Sequence, residues 1–404
     1  VDELRRTIQE KQMIVVAEPG MGKTTSLQYI AFKDAQAIEN GSSDIAYPVY
    51  LELNLFQSGD IIQQRIIQKM GIDKAVIEEL LKDGRIALLL DGLNEVSESR
   101  RDESIKAIQR FMQDYPSVFV LITSRPNAYD RTYFDNIGGR GKTPLFQLQE
   151  MAQAQIEEFI QKNSNNAATG IILKALEANP ALKDIIKTPL LLKMLIDNIN
   201  RQPNTAIPPT ETEIILSFLE GICQRESIKN ADFNPDKFLR WLSFLAHQIR
   251  MKYEAKAIFI DEEALQILNG KAIEDILLNF LSKAVELHLL KHHRIENYYS
   301  FEHEVYQEAL WAKQQVLFDN HPPATNSGSL YVPAIELWHK TGFEKALRLY
   351  SALLTGQKRY NFVHEIAKRN VLLSVHCKKT CWLPEPNLEK IIVEKAKLFV
   401  IFFE

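Results

Sequence analysis

The chain has 404 residues, 46% hydrophobic and 25% charged, with a net charge of −4 at pH 7. It has room for several domains with sizeable cores, an ordinary globular composition, and no bulk electrostatic pull toward nucleic acid or an anionic membrane. Three cysteines (Cys223, Cys377 and Cys381) make no disulfide framework and point to a reducing, cytoplasmic setting, and the longest apolar runs, 86–90 and 398–403, are too short to span a bilayer.

The spacing predicts a first strand at 13–17 and a helix over 26–37. Between them lies Ala17-Glu18-Pro19-Gly20-Met21-Gly22-Lys23-Thr24-Thr25. Strand, small-residue loop with Gly-Lys-Thr, then helix is the setting of a phosphate-binding P-loop. Its backbone N–H groups and the helix dipole suit a polyphosphate. Lys23 would neutralise the β and γ phosphates, and the Thr24 hydroxyl would ligate Mg²⁺. Ala17 stands where the motif asks for Gly, which is tolerable where that position needs no positive φ.

Further strands are expected at 49–53, 86–91, 118–123 and 145–148, with helices at 61–70, 75–81 and 104–114. Near-continuous apolar strands alternating with helices imply a doubly wound, mainly parallel α/β core over 1–148, with ligands at the carboxyl ends of its strands. Asp91 ends the most apolar strand and can reach the metal held by Thr24. Glu95, four residues on, could polarise an attacking water. Taken alone, this stretch is also what a strand ending in an Asp-Gly turn looks like. Arg125 follows the fourth strand in Thr123-Ser124-Arg125-Pro126, where it can feel a γ-phosphate; alone, it would be a solvated arginine.

Beyond about 150 the strand signals fade. Helices are expected at 152–162, 173–185, 191–199, 214–224 and 236–253, followed by a mixed region to about 315. Pro203, Pro208 and Pro209 mark one boundary, and the stretch from His321-Pro322-Pro323 to Gly328-Ser329 marks a second linker. The expected divisions are 1–148, 149–205, 206–318 and 319–404. The last is helical in pattern and could begin a helical array. His376, Cys377 and Cys381 are too few ligands for zinc, and Lys291-His292-His293-Arg294 reads as a β-hairpin tip. The chain opens on Val1 rather than a methionine and stops after an apolar segment, so it is expected to be an excerpt of a longer protein.

The P-loop, the Leu88-Leu89-Leu90-Asp91-Gly92-Leu93-Asn94-Glu95 strand and Thr123-Ser124-Arg125-Pro126 together resemble the NACHT branch of the STAND NTPases. Gly92, directly after the strand acid, looks like a mark of that branch. Downstream, Thr188-Pro189-Leu190-Leu191-Leu192 is similar to the family's proline motif, and Thr210-Glu211-Thr212-Glu213 to the start of its winged-helix domain. Ser300-Phe301-Glu302-His303, with Gln307-Glu308-Ala309, resembles the winged-helix segment that carries a nucleotide-contacting histidine.

The resemblance implies a P-loop NTPase core, a helical domain, a winged-helix domain and a further helical region. It implies ATP and ADP with Mg²⁺ as cofactors, Pro189 against the adenine, and His303 on the β-phosphate of ADP. A histidine suits that place, as a hydrogen-bond donor able to carry charge near neutral pH. The implied function is a slow ATPase acting as a signalling switch in innate immunity or antiphage defence, closed with ADP and self-associating with ATP. An effector domain before this segment, a sensor domain after it and an unidentified trigger are implied as partners. Asn94 departs from the family's acid there. A conventional ATP-driven motor or kinase, or a scaffold without hydrolysis, stay open as alternatives.

Overall fold

The strands of the first unit are three to six residues long. A computed structural model describes residues 11–18, 20–53, 56, 61–96, 98–126, 129–135, 142–203, 206–252, 258–268, 274–293, 297–324, 330–380, 390 and 393. The chain divides into two compact units, Val1–Glu150 and Met151–Glu404.

The first unit runs β1 (Gln12–Val16), α1 (Lys23–Glu39), β2 (Tyr47–Glu52), α2 (Ile62–Met70), α3 (Lys74–Lys82), β3 (Ile86–Asp91), α4 (Glu98–Asp114), β4 (Phe119–Ser124) and β5 (Leu145–Gln147). Its strands form a five-stranded sheet in the order β2-β3-β4-β1-β5, parallel throughout. β3 is buried at all six positions, as expected of a strand covered on both faces. Leu88, Leu89 and Leu90 alone contribute roughly 6 kcal/mol of transfer free energy at about 2 kcal/mol each.

Alternation along the strands sorts side chains between the two faces. Met13, Val15, Leu89 and Leu121 pack on one face with Leu27 and Ile30 of α1. Ile14, Val16, Leu88, Leu90, Val120 and Ile122 pack on the other with the apolar stripes of α2, α3 and α4. Asp91 and Thr123 continue the alternation of Leu89 and Leu121, so both fall on the α1 face. Tyr50 is opposite Leu89 in register and packs with the same face.

Two helices differ from expectation. α4 begins at Glu98 rather than 104. Residues 98–103 carry no apolar stripe, but Arg100 donates to the Phe56 carbonyl at 2.9 Å and Arg101 to the Val96 carbonyl at 3.2 Å, which ties the polar first turns down. The helix expected over 173–185 is two: α6 (Asn166–Ala178) and α7 (Pro180–Ile185). Pro180 cannot continue a helix, and the Asn179 side chain accepts from the Leu182 N–H at 3.3 Å.

The second unit opens with α5 (Gln153–Asn163), α6 and α7, then continues with α8 (Pro189–Arg201), α9 (Glu211–Lys229) and α10 (Pro235–Lys252). Next come β6 (Ile258–Phe259), α11 (Asp261–Leu268), α12 (Glu274–Glu286), β7 (Leu290–His293) and β8 (Tyr298–Phe301), and then α13 (Glu304–Asn320), α14 (Glu344–Leu353), α15 (Gly356–Arg369) and α16 (Val371–Thr380). β6, β8 and β7 pair antiparallel in that order. One apolar core runs from Ile156 to Cys377. The divisions expected after 205 and 318 therefore fall inside a single compact unit, the second of them within α13. Residues 294–296, with Arg294 of the expected hairpin tip, and the segment 381–389 with Cys381 lie outside the described residues.

Within this core, α13 carries polar groups that are fully buried: Gln307, Glu308 and Gln315. Arg250 of α10 meets Glu308 at 3.4 Å and Gln307 at 3.1 Å, donates to the Gly342 carbonyl, and lies over the Phe343 ring. His247 bonds Gln315 at 2.7 Å and stacks on Trp311. Burial pushes its imidazole down to about 4, against the Gln315 hydrogen bond.

Candidate active site

The loop after β1 turns through Gly20 (φ 79) and Gly22 (φ 90), a backbone that L side chains rarely adopt. A methyl placed on Gly22 would meet open space, so conformation rather than crowding demands glycine there. Ala17 has no positive φ. Its side chain is fully buried and its N–H donates to the Ser124 carbonyl at 3.1 Å, so the departure from the motif brings no backbone strain. Met21 is buried, while Glu18, Thr24 and Thr25 are exposed. Pro19 lies outside the described residues.

Gly22 caps α1 with its backbone alone, and the first turn holds no acid. The start of an α-helix suits an anion. Lys23 Nζ donates back to the Ala17 carbonyl at 2.6 Å and the Glu18 carbonyl at 3.3 Å, which holds a cation at the loop against neutral oxygens.

The strand order brings the acid to this loop. β4 lies between β1 and β3, and the α1 face carries Asp91 toward the first turn of α1. Thr24 Oγ1 donates to Asp91 Oδ2 at 2.6 Å. Thr123 Oγ1 donates to Asp91 Oδ1 at 2.5 Å and accepts from the Gly92 N–H at 2.9 Å. Tyr50, which the sequence reading placed only in a strand, donates its hydroxyl to Asp91 Oδ2 at 2.9 Å. Burial, then the negative charges of Asp91 and Glu52, hold that hydroxyl far above the ordinary phenol range, so it remains a donor. No motif could have flagged Tyr50, because only the β2–β3 register brings it near Asp91.

After Asp91 the chain turns through Gly92 (φ 80) into a short 3-10 turn, Leu93–Glu95. A methyl on Gly92 would lie 2.9 Å from Glu95 Cδ. Glycine is required for its φ, and the Glu95 carboxyl folds against it. Arg125 is half-buried just past β4. Lys23, Thr24, Asp91, Glu95 and Arg125 thus all sit at a strand end or on the loops and helix starts at the carboxyl ends of one sheet's strands. A hydroxyl and a carboxylate 2.6 Å apart are hard oxygen donors of the kind Mg²⁺ takes with a bound polyphosphate, so the residues fit that ion.

In the second unit Pro189 is the first residue of α8, where its missing N–H costs nothing. His303 caps α13 through its backbone, with its ring edge-on to Tyr306 at 5.0 Å. Although His303 is exposed, desolvation by the protein around it, followed by the Lys193 charge, lowers its imidazole to about 4.

The family model described as NACHT domain matches residues 11–167. No curated protein matches the chain. Among solved structures it is similar to the Aeropyrum pernix ORC2 protein in its ADPNP-ADP complexes (11% identity over 78% of this chain and 90% of that one, TM-score 0.33). It is also similar to Drosophila ORC bound to DNA (13%, 76% and 83%, TM-score 0.31) and to the Thermotoga maritima RuvB Holliday junction branch migration motor (14%, 72% and 85%, TM-score 0.27). No described helix is long and apolar enough to cross a membrane. The sheet order, the glycine turn and the Thr24–Asp91 corner agree with the family match, and residues 11–167 are a NACHT domain, a P-loop NTPase domain of the STAND type.

Proposed function

We propose that this chain is a nucleotide-controlled switch that hydrolyses ATP slowly, closed with ADP and opening to self-associate with ATP, in innate immunity or antiphage defence. The observation that carries the nucleotide chemistry is the 2.6 Å contact between Thr24 Oγ1 and Asp91 Oδ2 beside the glycine turn. The NACHT match supports the switch.

In this reading the N–H groups at Gly20, Gly22 and Lys23 hold the phosphates. Lys23 leaves its carbonyl partners for the β and γ phosphates. Thr24 and Asp91 would hold Mg²⁺, which when bound would draw negative charge from the phosphate oxygens. Glu95 orients and deprotonates the attacking water, and Arg125 answers to the γ-phosphate. Residues 206–318 are read as a winged-helix domain. The order α10, β6, α11, α12, β7, β8 and the strand order β6-β8-β7 support this. Pro189 and His303 are given to the adenine and the β-phosphate, and His303 would act as a neutral donor.

The test is phosphate release and ADP binding by the purified chain. Mg²⁺-dependent release that Lys23→Ala abolishes is the expected result. Turnover many-fold above about 1 per second, the range of ordinary catalysts, would overturn the switch in favour of a conventional ATPase. Unchanged ADP affinity and oligomeric state in His303→Ala would remove the histidine from the nucleotide contacts.

A further inference from the structure

Asp91 is held by more than the P-loop threonine. Its Oδ2 accepts two hydroxyls, from Thr24 at 2.6 Å and Tyr50 at 2.9 Å, and its Oδ1 accepts Thr123 at 2.5 Å. The three donors come from α1, β2 and β4, and only Tyr50 reaches from the neighbouring strand β2. In register Tyr50 faces Leu89, two residues short of Asp91. That offset is about 7 Å along a strand, a span that needs a side chain as long as tyrosine with a donor at its tip. Tyr50 packs against the apolar cluster that contains Leu27, Ile30, Leu89 and Leu121, so the hydroxyl is delivered from an apolar seat.

The torsion of an aspartate carboxyl is broad. Thr24 alone would leave Oδ2 free to turn with the first turn of α1. A second donor from the sheet ties the same oxygen to the scaffold, and Thr123, itself held by the Gly92 N–H at 2.9 Å, ties the other. We propose that Tyr50 is a positioning residue for the magnesium of this site, acting through Asp91 by fixing Oδ2 beside Thr24 Oγ1. This rests on the reading of the first unit as a magnesium–nucleotide site. Tyr50 takes no proton and touches no nucleotide in this account. Its contribution is to hold the carboxylate in place before the ion arrives, so its loss should appear in the magnesium dependence of binding rather than in binding as such.

The experiment measures the dissociation constant of ADP by calorimetry with excess Mg²⁺ and again with EDTA, for the unmodified chain, Tyr50→Phe, Asp91→Asn and the double variant. Melting temperature is recorded for each. Phe keeps the ring and its apolar contacts and removes one hydrogen bond to a charged group, so the magnesium-dependent gain should fall by about tenfold or more, with the EDTA value unchanged. In the Asp91→Asn background, Tyr50→Phe should change the ratio no further. A Tyr50→Phe chain that keeps the full magnesium gain overturns the inference. So does equal weakening with and without magnesium, the mark of a purely structural role, and so does an additive effect on top of Asp91→Asn. If the unmodified chain binds ADP with no magnesium dependence, the site reading itself fails and this inference falls with it.

Discussion

Two buried polar clusters, one in each unit, solve opposite problems. Asp91 lies at a sheet edge, 8% exposed, and among the described residues its hydrogen-bond partners are three hydroxyls. Arg250 and Glu308 lie inside a helical core at 0% exposure, and each meets the opposite charge in the other. The first cluster presents a carboxylate oriented by neutral donors at the mouth of an anion-binding loop, which is what a cation arriving with a polyphosphate requires. The second brings its own counter-ion and is closed. Buried charge by itself therefore does not mark a functional site; what matters is whether the protein neutralises the charge internally or only orients it.

The largest test of this contrast is Arg250→Met. It leaves Glu308 buried without its cation and should cost about 3–5 kcal/mol of stability, seen as a fall in melting temperature. Replacing both partners with apolar residues should recover most of that loss. Next, Glu95→Gln should lower phosphate release by about 100-fold or more while ADP binding stays intact, because the residue acts on water and not on the phosphates. A comparable loss of binding would show that Glu95 holds the loop instead.

The third test uses pH. His247 titrates at about 4 when folded against 6.5 ordinarily, so acid protonates the unfolded chain first. The stability is fully present above about 6.5 and is lost as pH falls toward 4, by about 3 kcal/mol in all. Chemical denaturation of the unmodified chain should show this slope, and a His247→Leu chain should show a shallower one. The smallest expected effect is Gly92→Ala. It should cost about 1–2 kcal/mol for the left-handed backbone and displace Glu95, so that phosphate release falls with nucleotide affinity nearly unchanged.

Local chemistry was legible in advance. The P-loop, Asp91 at the end of β3 and Arg125 after β4 are set by short-range spacing, and five continuous apolar runs give the five strands to within two residues at either end. β2 begins earlier than expected, at Tyr47, and includes Pro48. β2 is the edge of the sheet, where a missing N–H is tolerated. The polar first turns of α4 had no apolar period to announce them.

By itself the sequence determined that a phosphate loop, an acid-tipped strand and a helical second half exist, because period and glycine placement are written along the chain. The tertiary structure alone decided which side chains share a face. Strand order set β4 between β1 and β3, register set Tyr50 across from Leu89, and packing of α10 on α13 buried Arg250 against Glu308. Those pairings join residues tens of positions apart, with a separation of 58 for Arg250 and Glu308 and of 41 for Tyr50 and Asp91. No short-range pattern carries them, since they depend on how whole elements pack.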